Sequence, residues 1–123
     1  MDDLYRENIL DHYKHPRNFG NLARATVSSS DSLVSCGDSL SIEVFVSENV
    51  VKDIAFQGVG CAISMASASM LTERAQNKSV TDLKRLGRDD ILNMLGITLT
   101  PTRLKCALLS LEILHKALNQ LNK

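Results

Sequence analysis

Aromatic residues make up only 4% of the 123-residue sequence, and fourteen Lys and Arg side chains cancel fourteen Asp and Glu. That balance offers neither a stacking platform for bases nor a cationic surface for phosphates, so no nucleic acid partner is expected. No apolar run approaches the roughly 20 residues of a membrane span, and the opening MDDLYREN is acidic where a secretory leader is basic and then apolar. The expectation is no membrane association and a cytoplasmic location. Internal repeats, low-complexity tracts and linkers are also missing, and a chain of this length builds one core. A single domain over residues 1–123 follows. Charge is uneven, with five basic against nine acidic side chains in residues 1–60 and nine against five in residues 61–123, a tilt too diffuse to name a partner.

Cysteine is scarce as well. Cys36, Cys61 and Cys106 cannot all pair within one chain, and a reducing cytosol keeps them as thiols. All three are open to metal binding or thiol chemistry, the alternative being three small buried hydrophobes.

Residues 2–14 place Tyr5, Ile9, His12 and Tyr13 at helical spacing, and HPRNFGN ends that pattern with Pro16 and Gly20. From Arg24 to Gln57 the period becomes two. Ile42, Val44 and Val46 alternate with Ser41, Glu43 and Phe45, SEN turns, and residues 50–56 return, with ARATVSSS as a third strand. After Gly58 and Gly60 the period is helical to the end. SVTD at 79–82 resembles a capping box, Gly87 and Gly96 fit helix ends, and Thr100-Pro101 fits the start of a last helix reaching about Leu121. On that helix Leu104, Leu108, Leu111, His115 and Leu118 form an apolar stripe, and Lys105, Glu112, Lys116, Asn119 and Lys123 a solvated one. Strands followed by a run of helices give an α+β domain: a small antiparallel three-stranded β-sheet with helices packed on one face.

Each cysteine falls near the end of an element. SCGDSL sets Cys36 and Asp38 two positions apart around Gly37, just ahead of a strand; Cys61 follows GVG at a helix start; Cys106 lies in the second turn of the last helix. At a helix start the unpaired N–H groups and the positive end of the dipole favour thiolate over thiol, so Cys61 should be acidic and reactive. Gly58 and Gly60 leave room for a metal or an incoming sulfur, or form only a strand-to-helix turn. Asp38 is either a hard, exchangeable metal ligand beside a soft one or a cap on its own turn.

LYRENILDHYKHPRNFGNL, SCGDSLSIEVFV, FQGVGCAISMASASMLTE and PTRLKCALLSLEILHKAL resemble the IscU/SufU family of iron-sulfur cluster assembly scaffolds, whose members are NifU N-terminal-like, over Leu4 to about Leu118. The resemblance implies a SufE/NifU-like fold in which the three cysteine-bearing segments converge on one exposed pocket. It further implies that Cys36, Asp38, Cys61 and Cys106 hold Zn(II) or a transient 2Fe-2S cluster, chemistry that thiolates suit. Arg103, three residues before Cys106, is placed to offset negative charge and stabilise a thiolate. Implied partners are a cysteine desulfurase and recipient apo iron-sulfur proteins. Cys106 and Cys61 are the candidate sulfur acceptors, Cys106 being preferred for its nearness to Arg103.

The sequence also departs from the IscU pattern. Lys105 stands where IscU has a histidine ligand and is read as a surface charge. LTPTR at 99–103 matches two of five positions of the Leu-Pro-Pro-Val-Lys chaperone motif. GCAISMASASMLTE and the Arg-x-Lys-Cys pattern are nearer SufU, yet only 44 residues separate Cys61 from Cys106, without the insertion of Gram-positive SufU proteins. Two readings stay open: a cluster scaffold, and a zinc-dependent sulfurtransferase accepting persulfide sulfur. A hydrolytic zinc enzyme is disfavoured, because three thiolates make the metal a poor Lewis acid and no acid/base partner lies nearby. His115 lies about 13 Å along the helix from Cys106 at 1.5 Å per residue and reads as a core histidine. His12 and His15 read as structural. Met65 and Met70 read as packing beside small residues that let helices approach. Tyr5 and the first helix are a candidate desulfurase contact by resemblance.

Overall fold

The computed structural model describes residues 2–34 and 37–122, with side chains for residues 6–34 and 37–121. Cys36 therefore lies outside the described residues, as do Lys123 and the Tyr5 side chain. Helix α1 (Asp2–Lys14) precedes strands β1 (Val27–Leu33), β2 (Asp38–Ser47) and β3 (Val50–Val59); helices α2 (Ala62–Ala75), α3 (Val80–Lys84), α4 (Arg88–Leu95) and α5 (Pro101–Asn119) follow, and a 3-10 turn (Gln120–Asn122) prolongs α5.

The strands form one antiparallel sheet in the order β1-β2-β3. Glu48 and Asn49 both take left-handed backbone angles, φ 53° and 62°, the conformation that matches a two-residue hairpin turn to strand twist. Leu40, Ile42 and Val44 alternate inward with Ile54 and Phe56 opposite. A register shift between Phe45 and Val46 breaks that alternation, which is why Val46 is only half-buried. The β1 strand begins and ends later than ARATVSSS predicts. Thr26 still reaches β2, its N–H donating to the Val44 carbonyl, while Arg24 stacks 5.2 Å above the Phe45 ring instead of pairing. Asp31 extends the strand by binding Lys116 Nζ at 2.7 Å across to α5. The free edge of β3 is closed by the segment after α1, where Phe56 N–H donates to Asn18 O and Gly20 N–H to Phe56 O, each at 2.9 Å.

Helices α2 and α5 cover the apolar face of the sheet, and α1 packs on α2. Because α2 is enclosed by all three, ten of its residues are buried, including Ser64, Ser67 and Ser69. Small side chains permit that approach, and each serine finds a partner: Ser67 Oγ donates to Ala107 O at 2.7 Å, and Ser69 Oγ accepts the Arg17 N–H at 2.8 Å. Met65 and Met70 fill the core around them, as expected.

The predicted helix boundaries stand on observed caps. Ser79 Oγ accepts the Asp82 N–H at 3.0 Å, Thr100 Oγ1 accepts that of Arg103 with Pro101 in the first turn, and Gly96 closes α4 at φ 70°. Gly87 opens α4 instead of ending a helix, its N–H donating to Asp90 Oδ2 at 2.8 Å. Two faces differ from expectation. Ile9 and His12 of α1 turn inward, but Tyr13 is 43% exposed. On α5, Leu111 and Leu118 are buried as expected, but Leu104, Leu108 and His115 are only half-buried, and the rest of the inner face is Cys106, Ala107, Leu109, Ser110, Ile113, Leu114 and Ala117. Alanine, serine and cysteine make up much of it because α2 passes close by, so an apolar stripe drawn through leucines alone is rotated toward solvent.

Candidate metal centre

Gly37 takes φ 71°, a left-handed angle that suits glycine, and delivers Asp38 as the first residue of β2. The hairpin pairs Ser39 with Val59, so the start of β2 and the exit of β3 lie side by side. Two residues past that exit, Cys61 is the N-cap of α2 and makes no side-chain cap bond. Asp38 braces this helix start from across the hairpin. Its Oδ1 accepts the Cys61 N–H at 2.9 Å and its Oδ2 accepts the Ser64 hydroxyl at 2.5 Å. Cys106 arrives from the second turn of α5. Oxygen and sulfur donors of Asp38, Cys61 and Cys106 lie within 4.8 Å of one another, the one group of three such residues found among the described residues.

The packing is tight enough to assign the glycines. A Cβ on Gly60 would stand 3.0 Å from Asp38 Oδ1 and 3.2 Å from Ser64 Cβ, so Gly60 serves the site. A Cβ on Gly58 would meet the Ser39 carbonyl at 2.0 Å, so Gly58 serves the sheet. Of the two readings offered by the sequence, room at the site fits Gly60 and a purely structural turn fits Gly58. The described donors are also more enclosed than the expected exposed pocket: Asp38 is 1% and Cys106 0% exposed, and Cys61 is half-buried.

Electrostatics favour ligating forms. Burial pushes the Asp38 carboxyl up, but hydrogen bonds from Ser64, the Cys61 N–H and the Cys106 thiol, with the charge of Arg103, outweigh it and hold Asp38 below its ordinary value. Burial likewise pushes the Cys61 thiol up, and the Ser64 N–H, the Ser64 hydroxyl and the Cys106 thiol bring it below the usual value against the opposing charge of Asp38. The acidity expected of a helix-start cysteine thus has a named source in the Ser64 amide.

Two thiols and a carboxylate suit Zn(II) and iron. A tetrahedral ion with bonds of about 2.0–2.3 Å sets its donors roughly 3.5 Å apart, so these three would close by about an ångström. Arg103 stands exposed in the first turn of α5, and the charge it contributes is felt at Asp38. Lys105 is exposed, as predicted. The histidines lie outside the donor group. His12 Nδ1 is 2.7 Å from Ser69 Oγ, His115 Nε2 is 3.0 Å from the Leu83 carbonyl, and His15 is exposed. Ser64 was not foreseen; its only sequence signal is its place three residues after Cys61, where a helix presents an unpaired N–H.

Residues 4–123 match the family model described as NifU-like N terminal domain. The zinc-dependent sulfurtransferase SufU of Bacillus subtilis (strain 168) is 35% identical, covering 94% of this chain and 90% of that protein. Its alignment runs over 133 positions, more than this chain has, so the relative carries residues missing here. The iron-sulfur cluster assembly scaffold protein IscU 1 of Archaeoglobus fulgidus is 32% identical over 94% of this chain and 74% of its own length. Among solved structures, the SUF-system scaffold candidate FiSufU of Fervidobacterium islandicum AW-1 superposes with a TM-score of 0.81 at 25% identity, covering 91% of this chain and 94% of that one. The α+β architecture and the family expected from the cysteine motifs are both borne out, and the chain belongs to the NifU-like N-terminal domain family.

Proposed function

We propose that this chain is an iron-sulfur cluster assembly scaffold, a single domain that accepts sulfur from a cysteine desulfurase, assembles a 2Fe-2S cluster and passes it to apo iron-sulfur proteins. The observation that carries the reading is the convergence of Asp38, Cys61 and Cys106 within 4.8 Å, with Cys36 as the fourth donor. Sulfur arrives when a thiolate of this chain attacks the outer sulfur of the desulfurase persulfide. One S–S bond forms, the original one breaks, and the desulfurase cysteine leaves as thiolate. Cys106 is the acceptor in this reading, with Arg103 supplying positive charge and the half-buried Cys61 as the alternative. Thiol ligands need a reducing compartment, which supports a cytoplasmic location; among the described residues no helix is long and apolar enough to cross a membrane.

The second reading, a zinc-dependent sulfurtransferase, is favoured by the 35% identity to SufU and by the adjacent Cys61 and Cys106 thiols. Bound Zn(II) would hold the thiols as thiolates. Cys36, Cys61 and Cys106 would be its sulfur donors, and Asp38 the oxygen donor that gives way. Anaerobic incubation with iron, cysteine, a desulfurase and a reductant decides between them when absorbance and metal content are read together. A visible cluster spectrum with about two irons per chain, the 2Fe-2S content, supports the scaffold. Retained zinc with faster desulfurase turnover and no cluster overturns it in favour of the transferase.

A further inference from the structure

Asp38 is so enclosed that its carboxylate cannot be hydrated when it is off a metal: the residue is 1% exposed. A buried carboxylate without partners is strongly disfavoured, so a ligand that comes and goes needs a prepared place to go. Two donors from the start of α2 form it, beside the Cys106 thiol that also bonds the carboxylate. The Cys61 N–H on Oδ1, at 2.9 Å, is fixed by the backbone. The Ser64 hydroxyl on Oδ2, at 2.5 Å, can rotate about its C–O bond. Ser64 has a single O–H and two further acceptors in reach, the Cys106 carbonyl at 3.3 Å and Cys61 Sγ at 3.6 Å. When Oδ2 is occupied elsewhere, the hydroxyl turns to the Cys106 carbonyl and no buried polar atom is orphaned.

We propose that Ser64 is the positioning residue that receives Asp38 when the carboxylate leaves the metal, and so sets how readily cargo is released. The inference rests on the metal-centre reading above and deepens it by naming a control on release. Ser64 competes with the metal for Oδ2. Without its hydroxyl the dissociated carboxylate loses a partner, and Asp38 remains a ligand longer.

The test uses the zinc-loaded chain mixed with excess 4-(2-pyridylazo)resorcinol, with the release rate followed by absorbance and the melting temperature recorded in parallel. Ser64→Ala should release zinc about tenfold more slowly, or slower still, the effect of one hydrogen bond to a charged acceptor. Ser64→Thr, which restores a hydroxyl, should return toward the wild-type rate. Ser67→Ala, one turn on in the same helix interface but bonded to the Ala107 carbonyl, should release at the wild-type rate. Combined with Asp38→Ala, the Ser64→Ala change should have no further effect. Release from Ser64→Ala at or above the wild-type rate, or a slowing that persists without Asp38, overturns the proposal. Stoichiometric zinc with equal release rates removes this inference alone; a wild-type chain that holds no zinc removes the metal reading and the inference with it.

Discussion

Asp38 braces the N-cap residue of a helix from 23 positions earlier in the chain, its carboxylate accepting the Cys61 N–H at 2.9 Å. The two carboxylate bonds to Cys61 and Ser64 both reach the start of α2, so the alternative to ligation is a brace on a distant helix, where the sequence suggested a cap on its own turn. Asp38→Ala should lower stability by about 1–3 kcal/mol, because the Ser64 hydroxyl and the Cys61 amide lose a charged acceptor. As an exchangeable ligand Asp38 also predicts a cluster that survives air longer and transfers more slowly in the variant. Melting temperature and cluster decay measured on one sample separate the roles, and normal decay with a lowered melting point sinks ligation.

Zinc content is the simplest check on the donor set. The purified chain should carry about one zinc, since a complete tetrahedral set takes one ion. Cys36→Ser, Cys61→Ser and Cys106→Ser should each lower that content in elemental analysis. Full zinc in all three would remove the common site.

The persulfide should form on Cys106 when the chain meets a desulfurase and cysteine. Mass spectrometry of the trapped adduct locates it. An adduct that persists unchanged in Cys106→Ser would overturn the assignment, and its loss in Cys61→Ser would then move it to Cys61, whose thiol is already held below its ordinary value.

His12 tests whether a buried histidine here is structural. Burial is the main reason its pKa is lowered, so the folded chain holds it neutral. The unfolded chain, titrating near pH 6.5, binds more protons just below that value, and stability therefore rises with pH through this window and is complete above it. His12→Gln should flatten that rise in urea unfolding of the metal-free chain between pH 5 and 7, as the linkage requires. The variant should also lose about 1 kcal/mol with its bond to Ser69 and retain zinc. Lost zinc would make His12 part of the metal site.

Much of the fold was legible because its signals are local. Ser79, Thr100, Gly96 and the Glu48-Asn49 turn act within a few residues of themselves, and sequence spacing carries such effects directly. Cysteine motifs located Asp38, Cys61 and Cys106 for the same reason. The limits of β1 were not legible, because a serine run has little strand preference of its own and Lys116 of α5 helps to hold it. Ser64 was hidden in a ladder of small residues, where a hydroxyl that packs and a hydroxyl that switches look alike. The enclosure of Cys106 depends on how closely α2 passes α5, which no single segment encodes.

The β2–β3 hairpin also works as a ruler. One end carries the turn, and the other carries Asp38 on one limb and the approach to Cys61 on the other, with Ser39 opposite Val59 between them. Removing two residues from one limb would slide Asp38 about 7 Å along the strand at 3.3 Å per residue, more than twice the 2.9 Å that now joins it to Cys61. Removing two facing pairs, two residues from each limb, would shorten the sheet, leave the two ends level and keep every side chain on its own face. The hairpin of this chain can therefore change length only in matched, even steps, and a one-sided change would separate the carboxylate from the thiol without touching either residue.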